Sequence, residues 1–382
     1  MSDAAYDRII AAAIRGEAAG WPFADGQQDD FIHRARYHGV AALLHERHGQ
    51  LGAWPDDVLE TLRQDCLTQA MWEMRHQHVV ARLVAALGSA RIDTVIMKGT
   101  ALAYQLYDNP VWRPRGDTDI VIDQVQLDRC KDVLRAEGFD LSTSVDGELV
   151  KSEETWVRTF ADGTCHAIDV HWKLNNSPLL AALFSFDELS RNCTPIPALG
   201  PAARGLNRIH AFVVACMHCA THVHNPYYVD GTAHFGADRL IWLYDIRLLA
   251  DRMDDTECIA AVDLATAKGL RGPCHDAFTS AQRWLGSRPQ DKRLLALGDA
   301  SNSERTAEYL RAGGLKQKYM DFCAIEGNAN KLAYAKELLF PPAAYMRAKY
   351  AGSRGETWLA FLYARRAMGG LMKSIRRGRE DP

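Results

Sequence analysis

The sequence predicts an α+β fold in which a small mixed β-sheet core lies between an N-terminal helical region and a larger C-terminal helical region. Three observations support this class. Apolar residues recur at helical spacing up to about residue 90, short β-branched runs alternate with one clear helix to about residue 172, and helical spacing returns from about residue 206. The expected divisions are a helical region over 1–88, a mixed core over 89–190 and a helical domain over 191–382.

The two outer regions show amphipathic helical spacing. Pro22 and Pro55 interrupt the pattern in the N-terminal region and predict breaks between helices. The C-terminal region repeats this spacing and predicts a helix over 240–250. Apolar positions that share helical faces in the N-terminal region are Phe31, Ala35, Val40, Leu43 and Leu44, then Val79, Leu83, Val84 and Leu87.

Within the mixed region, short apolar or alternating runs predict strands, and helical periodicity predicts the segments between them. Gly138 ends one such helix, because glycine readily takes the left-handed conformation found after helix C-termini. The last residues, 376–382, are expected to fray. The expected strands cover 94–97, 117–122, 155–160 and 166–172, and the expected helices cover 100–107 and 127–137.

Composition excludes several classes of protein. The chain is 47% hydrophobic and 24% charged, which is typical of a folded globular protein. Its formal net charge of -3 provides no global positive field for sequence-independent binding of nucleic acid. Nine scattered cysteines favour a reducing compartment. Because neither a secretory signal nor an apolar run of roughly 20 residues is evident, we expect a cytoplasmic protein that does not enter the membrane.

Three aspartates are the candidate metal ligands. Period-two alternation sends Asp117 and Asp119 to one face of a strand, and Asp169 on another strand can point the same way. Three converging carboxylates repel one another unless a cation lies among them. Hard oxygen ligands select Mg²⁺ or Mn²⁺.

A turn before the first helix of the mixed region suits a phosphate group. Gly99 permits close backbone approach, and a helix that begins at Thr100 presents free N–H groups and a positive dipole end. Lys98 adds a positive charge beside this helix end. Together with the carboxylates, these features predict a site for a metal ion and a phosphorylated substrate.

The order of strand, Gly-Thr, helix, Asp-x-Asp and a distant Asp resembles the active-site pattern of the DNA polymerase beta-like nucleotidyltransferase superfamily. More narrowly, Lys98-Gly99, residues 113–119 and residues 168–173 resemble the family called uncharacterised nucleotidyltransferase. Tyr227 to Phe235 looks like an insertion in that pattern. Later stretches that are similar to the family cover 218–222, 239–245, 339–345 and 362–366.

The resemblance implies a nucleotidyltransferase core that moves a nucleoside monophosphate from an NTP to an acceptor hydroxyl and releases pyrophosphate, with two metal ions. It implies that the catalytic residues, which also hold Mg²⁺ or Mn²⁺, are Asp117, Asp119 and Asp169. It implies that the nucleotide-binding residues are Lys98, Gly99, Thr100, Arg113 and Arg115. The acceptor side is assigned to His171, His222 and Asp245.

Several of these side chains have a second interpretation. Arg113 and Arg115 either hold the triphosphate or brace the loop that carries the aspartates through ion pairs. His171 is either a partner of the metal-binding carboxylates or a packed histidine. Asp245 either orients the acceptor or forms a salt bridge between helices.

The segment from Cys216 to His224 carries thiols and imidazoles, which are zinc ligands. Cys216, Cys219 and His222 drift around the axis of one helix, whereas structural zinc sites usually take ligands from two elements. We therefore favour a packed helix here, and core packing for Trp242. The sequence has no GxxxxGK[ST], GxSxG or HExxH motif, which disfavours a Walker-type NTPase, an α/β-hydrolase and a zincin.

The sequence is compatible with several hydroxyl-bearing molecules as the acceptor. A small molecule or a peptide product ranks first. An RNA 3′ end ranks second, on the basic run from Arg365 to Arg379, so nucleic acid is allowed but not favoured. A non-catalytic nucleotide-binding module is disfavoured, because all three carboxylates are present.

Overall fold

The computed structural model confirms the α+β class, with a mixed sheet and helical regions on both sides of it along the chain. The frayed tail expected at 376–382, most of the basic run after Arg366, and His224 lie outside the described residues. The structure describes residues 3–17, 20–50, 54–142, 151–223, 225–229, 231–299, 304–312, 314–341, 343, 346–347, 358–366 and 368.

The strands form one large sheet and one small hairpin. In chain order they are β1 (Thr94–Met97), β2 (Asp117–Ile122), β3 (Asp140–Leu141), β4 (Glu153–Thr159), β5 (Cys165–His171), β6 (Cys193–Pro195), β7 (Arg204–Leu206), β8 (Tyr227–Val229) and β9 (Thr232–His234). The large sheet has seven strands in the order β3-β4-β5-β2-β1-β7-β6. β2 runs parallel to β5 and antiparallel to β1, so the sheet is mixed.

Most of the remaining described residues form helices, both around the sheet and between its strands. They are α1 (Asp3–Ile14), α2 (Gln28–His38), α3 (Ala41–Glu46), α4 (Asp56–Ser89), α5 (Lys98–Leu106), α6 (Leu127–Ala136), α7 (Pro178–Ala181), α8 (Phe186–Arg191), α9 (Arg208–His222), α10 (Leu240–Arg252), α11 (Asp255–Ala267), α12 (Arg271–Leu285), α13 (Arg305–Arg311), α14 (Gly314–Ala324) and α15 (Asn328–Leu339). Every helix among the described residues is too short or too polar to cross a bilayer.

The two faces of the sheet are different. Ile120 and Ile122 of β2 point, with Ile168 of β5, into a core closed by the C-terminal half of α4 and by α6. The alternate residues point to the opposite face, where Val121 joins the larger core built by the N- and C-terminal helices. Because side chains alternate along a strand, Asp117 and Asp119 lie on the same face as Val121, and there they line a cleft.

Several elements begin or end one or two residues from their expected bounds, and two of the differences affect the site. α5 begins at Lys98 rather than Thr100, because the chain turns directly from β1 into the helix and Lys98 itself takes a positive φ of 50°. The sheet also continues past the expected core boundary at residue 190. Gly205 of β7 pairs with Ile96 of β1, a long-range contact that local periodicity does not encode.

The segment predicted as an insertion forms the β8–β9 hairpin. The hydroxyl of Tyr227 lies 2.5 Å from that of Tyr37 on α2, and the His234 ring packs 4.8 Å from the Tyr37 ring. Tyr228 between them is 68% exposed. The hairpin is thereby fixed to the N-terminal region at the rim of the cleft.

Candidate active site

The two acidic strands meet in register. β2 and β5 are parallel neighbours whose pairing sets Asp119 opposite Asp169, so both carboxylates lie on the cleft face of the sheet. His171 follows on the same face, and its Nε2 lies 2.8 Å from Asp119 Oδ1. These three side chains offer ligand atoms that all lie within 4.8 Å of one another. They form a compact group that could hold a metal ion.

Asp117 begins β2 and shares the face of Asp119, but it is exposed to the cleft and lies outside the compact group. Desolvation, together with the charges of Asp119 and Asp169, raises the pKa of Asp117 to about 7. The pKa of Asp119 is lowered, because the attraction of Lys98 and His171 outweighs the opposing effect of burial. The two aspartates of one motif therefore have opposite protonation behaviour.

The acidic group fits a divalent cation. Asp169 Oδ1 is buried and accepts no hydrogen bond from any described residue. Burial and the Asp119 charge raise the pKa of Asp169. Crowded carboxylate oxygens are the ligands that Mg²⁺ and Mn²⁺ prefer, and a cation among them would relieve the repulsion that raises these pKa values.

Glu153 is a residue that sequence reasoning missed. β4 pairs with β5 so that Glu153 lies opposite His171, and Glu153 Oε2 is 3.1 Å from His171 Nδ1. His171 thus lies between Glu153 and Asp119, an arrangement that fixes the ring beside the metal-binding carboxylate. The alternation of Glu153 with Thr155 at the start of a strand is the signal that could have found it.

Lys98 contacts the acidic group directly. Its Nζ lies 2.5 Å from Asp119 Oδ1. Burial lowers the pKa of Lys98, but the Asp119 carboxylate raises it by more, so the ammonium remains charged. A positive φ costs a non-glycine residue roughly 1 kcal/mol, and the surrounding fold holds Lys98 there.

Gly99 and Thr100 occupy different positions relative to the cleft. Gly99 lines the cavity at the start of α5, and a Cβ on it would lie 3.4 Å from Arg115 Cβ, in van der Waals contact. Thr100 is buried, and its hydroxyl contacts the Thr118 hydroxyl at 2.8 Å and accepts from Arg115 Nε at 2.9 Å. The Thr100 side chain therefore stabilises the floor beneath the cavity.

Arg113 and Asp245 form a buried ion pair. Arg113 Nε donates to both Asp245 oxygens at 3.0 and 2.9 Å, and Nη2 approaches at 2.8 Å. The Tyr107 hydroxyl donates to the same carboxylate at 2.7 Å. Asp245 is 2% exposed. Of the two interpretations of Asp245, the structure has the salt bridge, which joins α10 to the loop before β2.

Arg115 is braced in the same way. Its Nη2 donates to Glu73 Oε1 of α4 at 2.7 Å, its Nη1 donates to the Arg113 carbonyl at 3.1 Å, and the Arg115 side chain is 2% exposed. Tyr104 donates to the same Glu73 oxygen at 2.5 Å. Both arginines of the Arg-Pro-Arg stretch thus fix the position of the loop that carries Asp117.

His222 belongs to an aromatic wall of the cleft. Its ring stacks on Trp242 with 5.1 Å between centroids, and Tyr227 meets Trp242 edge-on at 4.7 Å. His218, one turn earlier on α9, packs 4.9 Å from Trp242. Trp242 is 8% exposed, which agrees with the core packing expected for it.

No group with metal-ligand geometry in the described part of the chain includes the thiols of α9. Cys216 and Cys219 are buried, and burial raises the pKa of both thiols, which keeps them protonated at neutral pH. Among the described residues, the group with metal-ligand geometry is the Asp119, Asp169 and His171 group, and it contains no cysteine.

The three aspartates, Lys98 and the aromatic wall line one cavity of about 1060 Å³. Five cations in its lining have a described carboxylate within 4.0 Å: Arg36 with Asp65, Lys98 with Asp119, Arg113 with Asp245, Arg115 with Glu73, and Lys318 with Asp321. Arg239 also lines the cavity and has no carboxylate among the described residues within that distance. Sequence reasoning gave Arg239 no role in the site, although Arg239 begins the stretch 239–245 that resembles the family.

The fold and the site together define a class: a mixed α+β protein whose cleft carries carboxylates that could hold a metal ion. A family model described as uncharacterised nucleotidyltransferase matches residues 24–286, more than half of the chain. The chain belongs to this nucleotidyltransferase family, which confirms the resemblance inferred from the motifs. The comparison with curated proteins yields no match.

The ion pair between Arg113 and Asp245 predicts a stability effect. Arg113→Met leaves a buried carboxylate without its partner, and we expect a loss of about 3–5 kcal/mol in the free energy of unfolding. The double variant Arg113→Met/Asp245→Leu removes both charges and should lose less than Arg113→Met alone. Urea unfolding of the four proteins measures this coupling. Additive losses would contradict the ion pair.

The raised pKa of Asp117 predicts a pH effect on the metal-free protein. Between pH 4 and 7 the folded state keeps a proton that an unfolded chain, with a pKa of 3.8, has lost. Asp117 therefore lowers stability as pH rises through this range. We expect Asp117→Asn to raise the melting temperature relative to wild type more at pH 8 than at pH 4.5. Calorimetry in EDTA measures this difference, and parallel pH profiles would contradict it.

Proposed function

We propose that the protein is a Mg²⁺-dependent nucleotidyltransferase that transfers a nucleoside monophosphate from an NTP to an acceptor hydroxyl. The observation that carries this proposal is the registered pair Asp119 and Asp169, with Asp117 beside it and the N-terminus of α5 lining the same cavity. Membership of a nucleotidyltransferase family supports the reaction class. Mn²⁺ is the alternative ion.

In the proposed reaction, the acceptor oxygen forms a bond to the α-phosphorus and the bond from that phosphorus to the bridging oxygen of the β-phosphate breaks. Pyrophosphate leaves with the electron pair, and the acceptor proton passes to a carboxylate of the cleft. When bound, Mg²⁺ would lower the pKa of the acceptor hydroxyl and neutralise negative charge on the phosphate oxygens. The protein contributes position and electrostatic complementarity.

The side chains divide into two roles. Asp117, Asp119 and Asp169 would hold the cation, and His171 keeps Asp119 in place through the 2.8 Å contact. Lys98 lies beside both Asp119 and the free N–H groups at the start of α5, where its ammonium would donate to phosphate oxygens. Gly99 and Thr100 contribute through the backbone of this turn.

Arg113, Arg115 and Asp245 act as positioning residues in this proposal. Their side chains already make the ion pairs that fix the loop before β2. A triphosphate would have to displace Asp245 or Glu73 to reach either guanidinium, and an unpaired carboxylate would then remain buried, at a cost of several kcal/mol.

A small molecule or a peptide product is the acceptor that the cavity fits best. A volume of about 1060 Å³ lies at the upper end of small-ligand sites, with room for a nucleotide and a compact acceptor. Long RNA needs a track of cations that are available for phosphates, whereas most cations lining this cavity have carboxylate partners.

Activity tests the carboxylate roles. We expect Asp119→Asn to lower the rate of nucleotidyl transfer by roughly 10³-fold, because a neutral amide holds the cation poorly. Asp123→Asn is the matched control, since Asp123 follows the same strand, caps a short helix and lies outside the cavity lining. Transfer of label from each α-labelled NTP in cell extract with Mg²⁺ is the measurement. NTP binding by wild type without any transfer would indicate a non-catalytic module.

The acceptor class has its own test. We expect label from the α-phosphate to appear in a low-mass product that survives ribonuclease, because the cavity lacks a cation track for RNA. Extracts separated by size before the reaction show which fraction supplies the acceptor. A labelled product that ribonuclease destroys would overturn the small-acceptor assignment and leave the transfer chemistry standing.

A further inference from the structure

Arg239 is the cation of the cleft that the fold leaves without a charge partner in the described part of the chain. It precedes α10, is half-buried and lines the cavity. Its Nε donates to the carbonyl of Tyr37 at 2.8 Å, and no described carboxylate lies within 4.0 Å of it. Burial and the nearby Arg113 charge lower the pKa of Arg239 to about 10, so its charged form is disfavoured but still predominates at neutral pH.

The position of this guanidinium is closely set. It lies over the Trp242 ring, 5.6 Å from the centroid, and the Tyr37 carbonyl takes the Nε proton. A Cβ on Gly39 would lie 3.2 Å from Nη2 of Arg239, and Gly39 has the positive φ of 70° of a helix C-cap. The contacts thus direct the terminal nitrogens, and none of the described carboxylates lies within 4.0 Å of them.

Arg239 and Lys98 act on the same part of the cavity. Lys98 and Trp242 line one small pocket, and the Arg239 guanidinium lies over the Trp242 ring, so both cations border the same part of the cavity. The Asp117 charge likewise acts on Arg239. A polyphosphate that extends from the carboxylates between the start of α5 and Trp242 would therefore pass both cations.

We propose that Arg239 binds the β- and γ-phosphates of the NTP and, with Lys98, holds the pyrophosphate leaving group. This inference rests on the proposed nucleotidyl transfer. When the bond between the α-phosphorus and the bridging oxygen breaks, the electron pair and its charge go to pyrophosphate. Two terminal N–H groups of a guanidinium match two phosphate oxygens in a way that a lysine cannot. This role also explains why Arg239 has no carboxylate partner among the described residues, because such a partner would compete with the phosphates.

Binding measurements on the intact chain test this role. We expect Arg239→Met to weaken the binding of pyrophosphate and of NTP in Mg²⁺ by about 10- to 100-fold, with Arg239→Lys between the two. Binding of the corresponding nucleoside monophosphate should change by less than about twofold. Arg36→Met is the matched control, because Arg36 lines the same cavity but has Asp65 at 2.8 Å, and it should bind as wild type does.

The outcomes separate this inference from the proposed function. Wild type that binds neither NTP nor pyrophosphate would overturn both. Normal binding by a folded Arg239→Met protein, or equal weakening for the monophosphate, would overturn the inference and leave nucleotidyl transfer intact. Melting temperatures show whether each variant is folded. If the role of Arg239 were purely structural, Arg239→Met would lower the melting temperature but would not weaken pyrophosphate binding more than monophosphate binding. Should Arg239→Met fail to fold, Arg239→Lys keeps the positive charge but loses the paired donors, and it should show the same preference with a smaller weakening.

Discussion

The register between β2 and β5 is the constraint on which the site depends. It sets Asp119 opposite Asp169 on the cleft face, where the two carboxylates would repel each other without compensating cations. Lys98 and His171 both contact Asp119, while one oxygen of Asp169 has no hydrogen-bond donor among the described residues. The fold thus neutralises one carboxylate and leaves the other available to a cation. A one-residue slip of β2 would turn both of its aspartates to the opposite face.

A second layer of ion pairs holds this arrangement in place. Arg113 is paired with Asp245 of the C-terminal region, and Arg115 is paired with Glu73 of the N-terminal region. Two arginines separated by one proline thereby connect the aspartate-bearing loop to both helical regions. Buried ion pairs add little net stability, but they disfavour other positions of the loop, since each alternative leaves a charge unpaired. The two ion pairs therefore contribute by holding the aspartate-bearing loop in one position.

Local patterns predicted much of this structure. Period-two alternation placed Asp117 and Asp119 on one face, and short β-branched runs located the central strands. The contact between Arg113 and Asp245 was not predictable, because it joins positions 132 residues apart. Arg113 also suited triphosphate binding, and Asp245 also suited the acceptor side. The pairing of β7 with β1 is missed for the same reason. Arg239 was missed because its significance lies in its lack of a described carboxylate partner, which only tertiary structure reveals.

The central claim concerns where a divalent ion binds. The most direct measurement is a crystal structure with Mn²⁺ and a non-hydrolysable NTP, in which anomalous scattering locates the metal. The account predicts a peak within coordination distance of carboxylate oxygens from both Asp119 and Asp169, with the polyphosphate directed toward Lys98. A nucleotide bound elsewhere, or Mn²⁺ that avoids these two side chains, would contradict it.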